Sequence, residues 1–127
     1  MVNGRVTNVC FRQQTKTSKP AMKNLEGEGF AFNGMVDIFD AGPCVSCQRK
    51  DIRTVRESRT AVVEKILSEP IDSPTYMIGC FDSAFRACMG TLRIIGDYRV
   101  GIESALAEIL GIAEGSTVRY ASLRGEA

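Results

Sequence analysis

Residues 28–43 read EGFAFNGMVDIFDAGP and residues 51–59 read DIRTVRESR. In the first run, two short apolar segments, Phe30 to Asn33 and Met35 to Phe39, flank the dipeptide Asn33-Gly34. Asn-Gly readily accepts positive φ at both central positions of a tight turn, so the pattern predicts a β-hairpin around it. Asp40-Ala41-Gly42-Pro43 breaks the second strand, and Cys44 to Gln48 can form another. In the second run Arg53, Arg56 and Arg59 recur at every third residue, just after Arg49 and Lys50. On a helix they would form one cationic stripe able to hold a carboxylate or phosphate by bidentate bonds. Asp51 and Glu57 interleave with them, and mixed charge of this kind is usually a solvated face. The conformation of residues 49–59 stays open at this level.

Upstream, residues 1–17 are polar, and Val6, Val9 and Phe11 are too irregularly placed to separate a short strand from an extended arm. A helix is predicted from Ser18: Ser18 serves as N-cap, Pro20 lies in the first turn where its missing N–H is tolerated, and Met22 and Leu25 supply an apolar face. Gly27 and Gly29 end it. Downstream, Val62, Val63, Ile66 and Leu67 have a spacing that suits a helix over Ala61 to Leu67, although the β-branched pair would also serve a strand. Residues 69–74 form a loop, and Tyr76 to Phe81 and Phe85 to Ile95 read as strands, the second bulged at Gly90. Ile102, Ala105, Leu106, Ile109 and Leu110 repeat at helical spacing, Gly111 stops that helix, and a strand follows over Thr117 to Leu123. Together these elements predict an α+β fold: a single domain over residues 1–127, with mostly antiparallel strands in a barrel-like or curled sheet and two or three helices.

Composition narrows the function classes. The 127 residues, 44% hydrophobic and 24% charged, are enough to bury one core. A net charge of +1 provides no field to attract nucleic acid or anionic lipid. No apolar run approaches the roughly 20 residues that span a bilayer, and Met1 to Pro20 lacks a signal-peptide core, so a cytoplasmic location is expected. The five cysteines, Cys10, Cys44, Cys47, Cys80 and Cys88, are an odd number, for which free thiols are expected. With no histidine in the chain, Ser-His and Cys-His nucleophiles are excluded, as are His-containing metal sites.

Cys44-Val-Ser-Cys47 has zinc-knuckle or redox spacing, but Cys80 and Cys88 are not paired as further ligands, and in a strand residues three apart face opposite ways, so small-hydrophobe packing is expected. The same geometry separates Asp37 from Asp40. The role expected of Asp40 is to accept backbone N–H bonds in the turn it opens. There is no Gly-x4-Gly-Lys-Ser/Thr loop and no pyrophosphate-gripping loop of the acetyltransferase type; Gly27-Glu28-Gly29 is too short and too acidic to replace one. No metal or cofactor is expected.

Leu25-Glu26, Glu28-Gly29-Phe30, Val36-Asp37-Ile38-Phe39-Asp40, Gly42-Pro43 and Arg53-x-x-Arg56-x-Ser58-Arg59 occur in the order found in the arginine N-succinyltransferases. The chain resembles the C-terminal part of that family, most specifically between Ser18 and Arg59 and by pattern alone to its end. The resemblance implies an acyltransferase ancestry in bacterial arginine catabolism, with succinyl passing from succinyl-CoA to the α-amino group of arginine. Family members are more than twice as long, and their N-terminal portion, acetyltransferase-like and the source of most of the acyl-CoA site, has no counterpart among these residues. The family's presumed proton-donor histidine falls, by gapless counting, at Thr15, and the family threonine at Ser18. A threonine hydroxyl is a poor general acid, so no catalytic residue carries over. The expected role is therefore a non-catalytic descendant that binds a small carboxylate, an amino acid or a protein and self-associates as a homo-oligomer, with Arg53, Arg56, Ser58, Arg59, Thr15 and Ser18 as anion- or substrate-binding candidates. The alternative is one component of a split enzyme completed by an acetyltransferase-like partner chain. In a purely structural reading, Ile38 and Phe39 fill core on either side of a sheet and the arginines pair with Asp37, Asp40 or Glu57.

Overall fold

The computed structural model describes residues 5–12, 19–39 and 41–123. The chain divides into two compact units, Met1–Arg56 and Glu57–Ala127. Each has its own hydrophobic cluster, where composition led to an expectation of one core. The secondary structure is α+β and mostly antiparallel, with eight strands and three α-helices among the described residues.

The first unit is a three-stranded antiparallel sheet with one helix against it. Strand β1 (Val6–Arg12) pairs with β3 (Ala41–Gln48), which pairs in turn with β2 (Ala31–Val36). Helix α1 (Lys19–Glu28) holds Pro20 in its first turn as predicted; Ser18, the expected cap, lies outside the described residues. Met22, Phe30, Val45 and Cys47 form the core, with Val9, Leu25 and Ile52 against them. Val9 of β1 and Phe32 of β2 both stand opposite Val45, which puts them on its side of the sheet.

The hairpin predicted between residues 30–33 and 35–39 does not form; the hairpin present joins β2 to β3. Asn33-Gly34 is inside β2, where Gly34 takes φ 81° and the register to β3 shifts between Phe32 and Val36. The Asn33 Oδ1 accepts the Met35 N–H at 2.9 Å, a local bond that kinks the strand without reversing it. Reversal comes next: the Asp37 N–H donates to the Gly42 carbonyl at 2.9 Å and Asp37 Oδ1 accepts the Phe39 N–H at 3.1 Å. Asp37 thus performs the turn-opening role expected of Asp40, which lies outside the described residues. After β3 a 3-10 turn (Arg49–Asp51) leads to the short α2 (Arg53–Glu57).

The second unit is a closed barrel of β4 (Arg59–Leu67), β5 (Thr75–Phe81), β6 (Phe85–Gly96), β7 (Arg99–Glu103) and β8 (Thr117–Ser122), in the order β4-β7-β6-β5-β8. Only the β4-β7 pairing is parallel. Residues 61–67 belong to a strand, not the favoured helix: Ala61 and Val63 are buried while Val62 between them is exposed, the period-two signature of a sheet with one wet face. Ile102 likewise belongs to β7, and α3 (Ser104–Leu110) starts two residues later and ends at Gly111, which has the left-handed conformation its place predicts. Val63, Ile78, Leu92, Val100, Ile102 and Val118 fill the barrel, and Ala107 and Leu110 of α3 join the same cluster.

No bulge forms at Gly90. The β5-β6 pairing runs unbroken from Thr75 opposite Thr91 to Phe81 opposite Phe85, and the irregularity in β6 falls between Ile94 and Gly96. Gly90 is a point of close approach instead, since a Cβ there would come within 2.7 Å of Leu106 Cδ1 on α3.

Cys10 and Cys44 are joined by a disulfide, contrary to the expectation of free thiols. The antiparallel register of β1 and β3 sets these two residues directly opposite one another, a juxtaposition their separation of 34 residues could not reveal.

Candidate functional site

The arginine-bearing segment begins where α1 ends. Glu28 is the last residue of α1 and sits at the negative end of its dipole, an unfavourable place for a carboxylate unless a cation meets it. Arg53 supplies that cation. Its Nε and Nη2 donate to Glu28 Oε1 at 3.2 and 2.7 Å, while the Thr54 N–H and Oγ1 donate to Oε2 at 2.8 and 2.7 Å. The Arg53 and Glu28 side chains are only 15% and 23% exposed. Burial raises the Glu28 pKa, but the bonds from Thr54 and Arg53 outweigh it and hold the carboxyl below the ordinary glutamate value.

The remaining candidates are distributed along the chain. Arg56 lies exposed on α2, its N–H bonded to the Ile52 carbonyl at 2.8 Å. The Ser58 hydroxyl accepts from Arg119 Nη1 at 2.6 Å, and Arg59 is an exposed residue at the start of β4, opposite Tyr120. Because α2 has only five residues, Arg53 and Arg56 share a helix and Arg59 does not. Thr15 and Ser18 lie outside the described residues. The guanidinium-carboxylate chemistry anticipated for Arg53 is thus present, with a carboxylate of the protein itself as its partner. Glu28, Thr54 and Arg119 escaped the reading of the sequence. For Glu28 a signal existed, an acidic residue in the last turn of a predicted helix; for Arg119 there was none.

Cys44 and Cys47 do not act together: Cys44 is bonded to Cys10, and Cys47 is a buried free thiol in the first core. Cys80 is buried and its Sγ approaches the Leu110 carbonyl at 3.5 Å, while burial and then neighbouring Cys80 push the Cys88 thiol up. Among the described residues no cluster of three or more cysteine, aspartate and glutamate side chains could hold a metal ion. No helix among them is long and apolar enough to cross a membrane.

Large apolar side chains face outward in both units. In the β2-β3 hairpin, Ile38 and Phe39 are 88% and 87% exposed, against their expected place in a core, and Phe32, Met35 and Val36 are exposed beside them. They stay outside because they lie in the turn that follows β2, which leaves no sheet face over them. On the barrel, Met77 opposes Met89 and Phe81 opposes Phe85 on the exposed side of the β5-β6 ribbon.

Residues 7–54 match the family model of the arginine N-succinyltransferase beta subunit, and residues 59–122 match that of the C-terminal domain of the same subunit. An arginine N-succinyltransferase of Yersinia pestis (strain Pestoides F) is 36% identical over 111 residues, covering 82% of this chain and 31% of the relative. The arginine N-succinyltransferase subunit beta of Pseudomonas aeruginosa is 31% identical over 117 residues, covering 86% of this chain and 32% of the relative. Among solved structures, subunit AI of the arginine/ornithine succinyltransferase from Pseudomonas aeruginosa superposes with a TM-score of 0.74 at 26% identity, over 87% of this chain and 33% of that one. The chain spans about a third of the length of the curated relatives it matches.

Proposed function

The chain belongs to the arginine N-succinyltransferase family, and on that premise we propose that it is a protein-binding module with no succinyl transfer of its own. The observation that carries this reading is the fate of Arg53. The candidate cation Arg53 is engaged by Glu28, with Thr54 completing the site, so this part of the arginine segment serves to join the end of α1 to α2. A substrate carboxylate would have to displace a preorganised internal one that is already neutralised and hydrogen-bonded. The absence of histidine from the chain and the outward-facing apolar side chains support the same reading.

The test is direct. Purified chain supplied with succinyl-CoA and arginine is expected to form no succinylarginine above the uncatalysed background, and any turnover proportional to protein concentration would sink the proposal. Thermal unfolding with arginine, succinate, succinylarginine or coenzyme A should not shift. A genuine small ligand at 100 times its Kd would add about 2.7 kcal/mol and would be seen.

A second reading has one observation in its favour: the Pseudomonas relative is named as a subunit, beta, of its enzyme. On that reading the chain is one component of a split succinyltransferase and contributes to activity only with an acetyltransferase-like partner. Succinyl transfer that requires both chains would select it over the non-catalytic module.

A further inference from the structure

We propose that the Cys10–Cys44 disulfide is a reversible thiol switch that fastens or frees the far end of strand β1. The inference stands apart from the protein-binding reading and survives its failure. Three observations carry it. First, β1 is a terminal strand of the sheet β1-β3-β2, and Cys10 on it is exposed, whereas Cys44 on the central strand β3 is only 5% exposed. One sulfur of the bond is therefore open to an incoming thiolate while the other is shielded, and exposed disulfides are the labile, regulatory ones. Second, the bond sits where the regular ladder stops. Pairing runs in register from Val6 opposite Gln48 to Cys10 opposite Cys44, and the register shifts between Cys10 and Arg12. Past that point little regular pairing resists fraying once the sulfurs part. Third, the strand behind the bond is held without it. The Arg49 N–H donates to the Arg5 carbonyl at 2.9 Å, and Val9 packs against the first core. These contacts keep Cys10 opposite Cys44 after reduction, so the same bond can form again.

The co-reactant is a small thiol, RSH, in the manner of glutathione. Its thiolate attacks Cys10 Sγ and forms the mixed disulfide Cys10–S–S–R; the Cys10–Cys44 bond breaks, its electron pair leaves on Cys44 Sγ, and that sulfur takes up a proton. A second thiolate attacks the R sulfur of the mixed disulfide, which releases RSSR and leaves Cys10 as a thiol once protonated. Two RSH are oxidised to RSSR while one protein disulfide is reduced to two thiols, and an excess of RSSR drives the same steps backward. Cys47 does not divert the exchange: three residues from Cys44 along a strand it faces the other way, and it is a buried thiol of the first core. Cys80 and Cys88 belong to the other unit. The chain runs from β1 through residues 13–18 into α1, whose Met22 is part of the first core. Freeing the end of β1 lengthens that connection and so loosens the tether of α1, while the barrel, with a core of its own, is untouched.

The experiment holds the full, folded chain in reduced or in oxidised glutathione at neutral pH without denaturant, and follows alkylation by iodoacetamide and amide hydrogen exchange by mass spectrometry. In reduced glutathione Cys10 and Cys44 should become alkylated together, and amides of β1 and of the first half of β3 should exchange about tenfold faster or more. Barrel amides should not change, and oxidised glutathione should restore both the bond and the protection. Cys10→Ser should exchange like reduced wild type in either buffer. Cys88→Ala, at a partly exposed thiol of the other unit, should respond as wild type does. Reduction that needs denaturant, or that strips protection from the whole first unit, would make the bond a permanent staple and overturn the switch. So would a Cys10→Ser chain whose first unit fails to fold. Unchanged exchange in β1 and β3 after complete reduction would show that the bond frees nothing, and a response lost in Cys88→Ala would move the redox chemistry to the barrel; either result sinks the proposal.

Discussion

Glu28 shows how one side chain can decide whether a charged segment is a binding site or a scaffold. Its carboxylate is charged in the folded state, with a pKa held below the ordinary glutamate value mainly because the bonds from Thr54 and Arg53 outweigh burial. A group whose folded pKa is depressed contributes stability that is complete above its unfolded pKa and is lost as pH falls through the folded one. Acid unfolding followed at residues of the first unit should therefore steepen below the ordinary glutamate range, and Glu28→Gln should flatten that limb. At neutral pH the same variant should cost about 1.5–3 kcal/mol by urea titration, the range for hydrogen bonds to charged groups. If Glu28→Gln left stability unchanged at neutral pH, the Arg53 clamp would not be structural and the anion-site reading of Arg53 would revive.

At the scale of elements, two contacts make sharp tests. Gly90 on β6 gives Leu106 of α3 room that any Cβ would invade. Gly90→Val should destabilise the barrel by about 1–3 kcal/mol through overpacking. Combined with Leu106→Ala it should cost less than the sum of the single changes, a coupling that a double-mutant cycle reads directly. The Cys10–Cys44 bond ties β1 to β3 across 34 residues. Three thiols should titrate in the denatured, unreduced chain and five after reduction, and Cys10→Ser should lower stability by about 2–4 kcal/mol. Five thiols before reduction would show the bond absent.

Legibility at this scale followed the range of the signal. Helix α1, the strands β5, β6 and β8 and the Gly111 stop were readable because propensity, capping and alternation act between near neighbours. Strand β4 was ambiguous because Val62, Val63, Ile66 and Leu67 satisfy a helical spacing while the β-branched pair also serves a strand, and burial of Ala61 and Val63 between β7 and β8 decided the matter. Strand β7 was missed because Ile102 fits the phase of the helix that follows it. The Asn33-Gly34 signal correctly marked a positive-φ glycine but not a reversal, since the Asn33 side chain spends its oxygen on Met35 within the strand.

For the whole molecule, the barrel core is the least negotiable part. Leu92 is 1% exposed at the centre of that cluster, and Leu92→Ala should cost about 2–5 kcal/mol, read as lost protection of the barrel amides in hydrogen exchange. By itself the sequence determined the family, the α+β class, the mostly antiparallel strands and the lack of any histidine chemistry, because these depend on residue identity and on patterns between near neighbours. Only the tertiary structure decided that Arg53 answers Glu28 across 25 residues, that Arg119 reaches Ser58 across 61, that Cys10 meets Cys44, and that Ile38 and Phe39 stand at an exposed tip. The physical reason is common to all four: pairing partners and burial are set by strand register and by where the chain reverses, and neither is written in the spacing of the residues concerned.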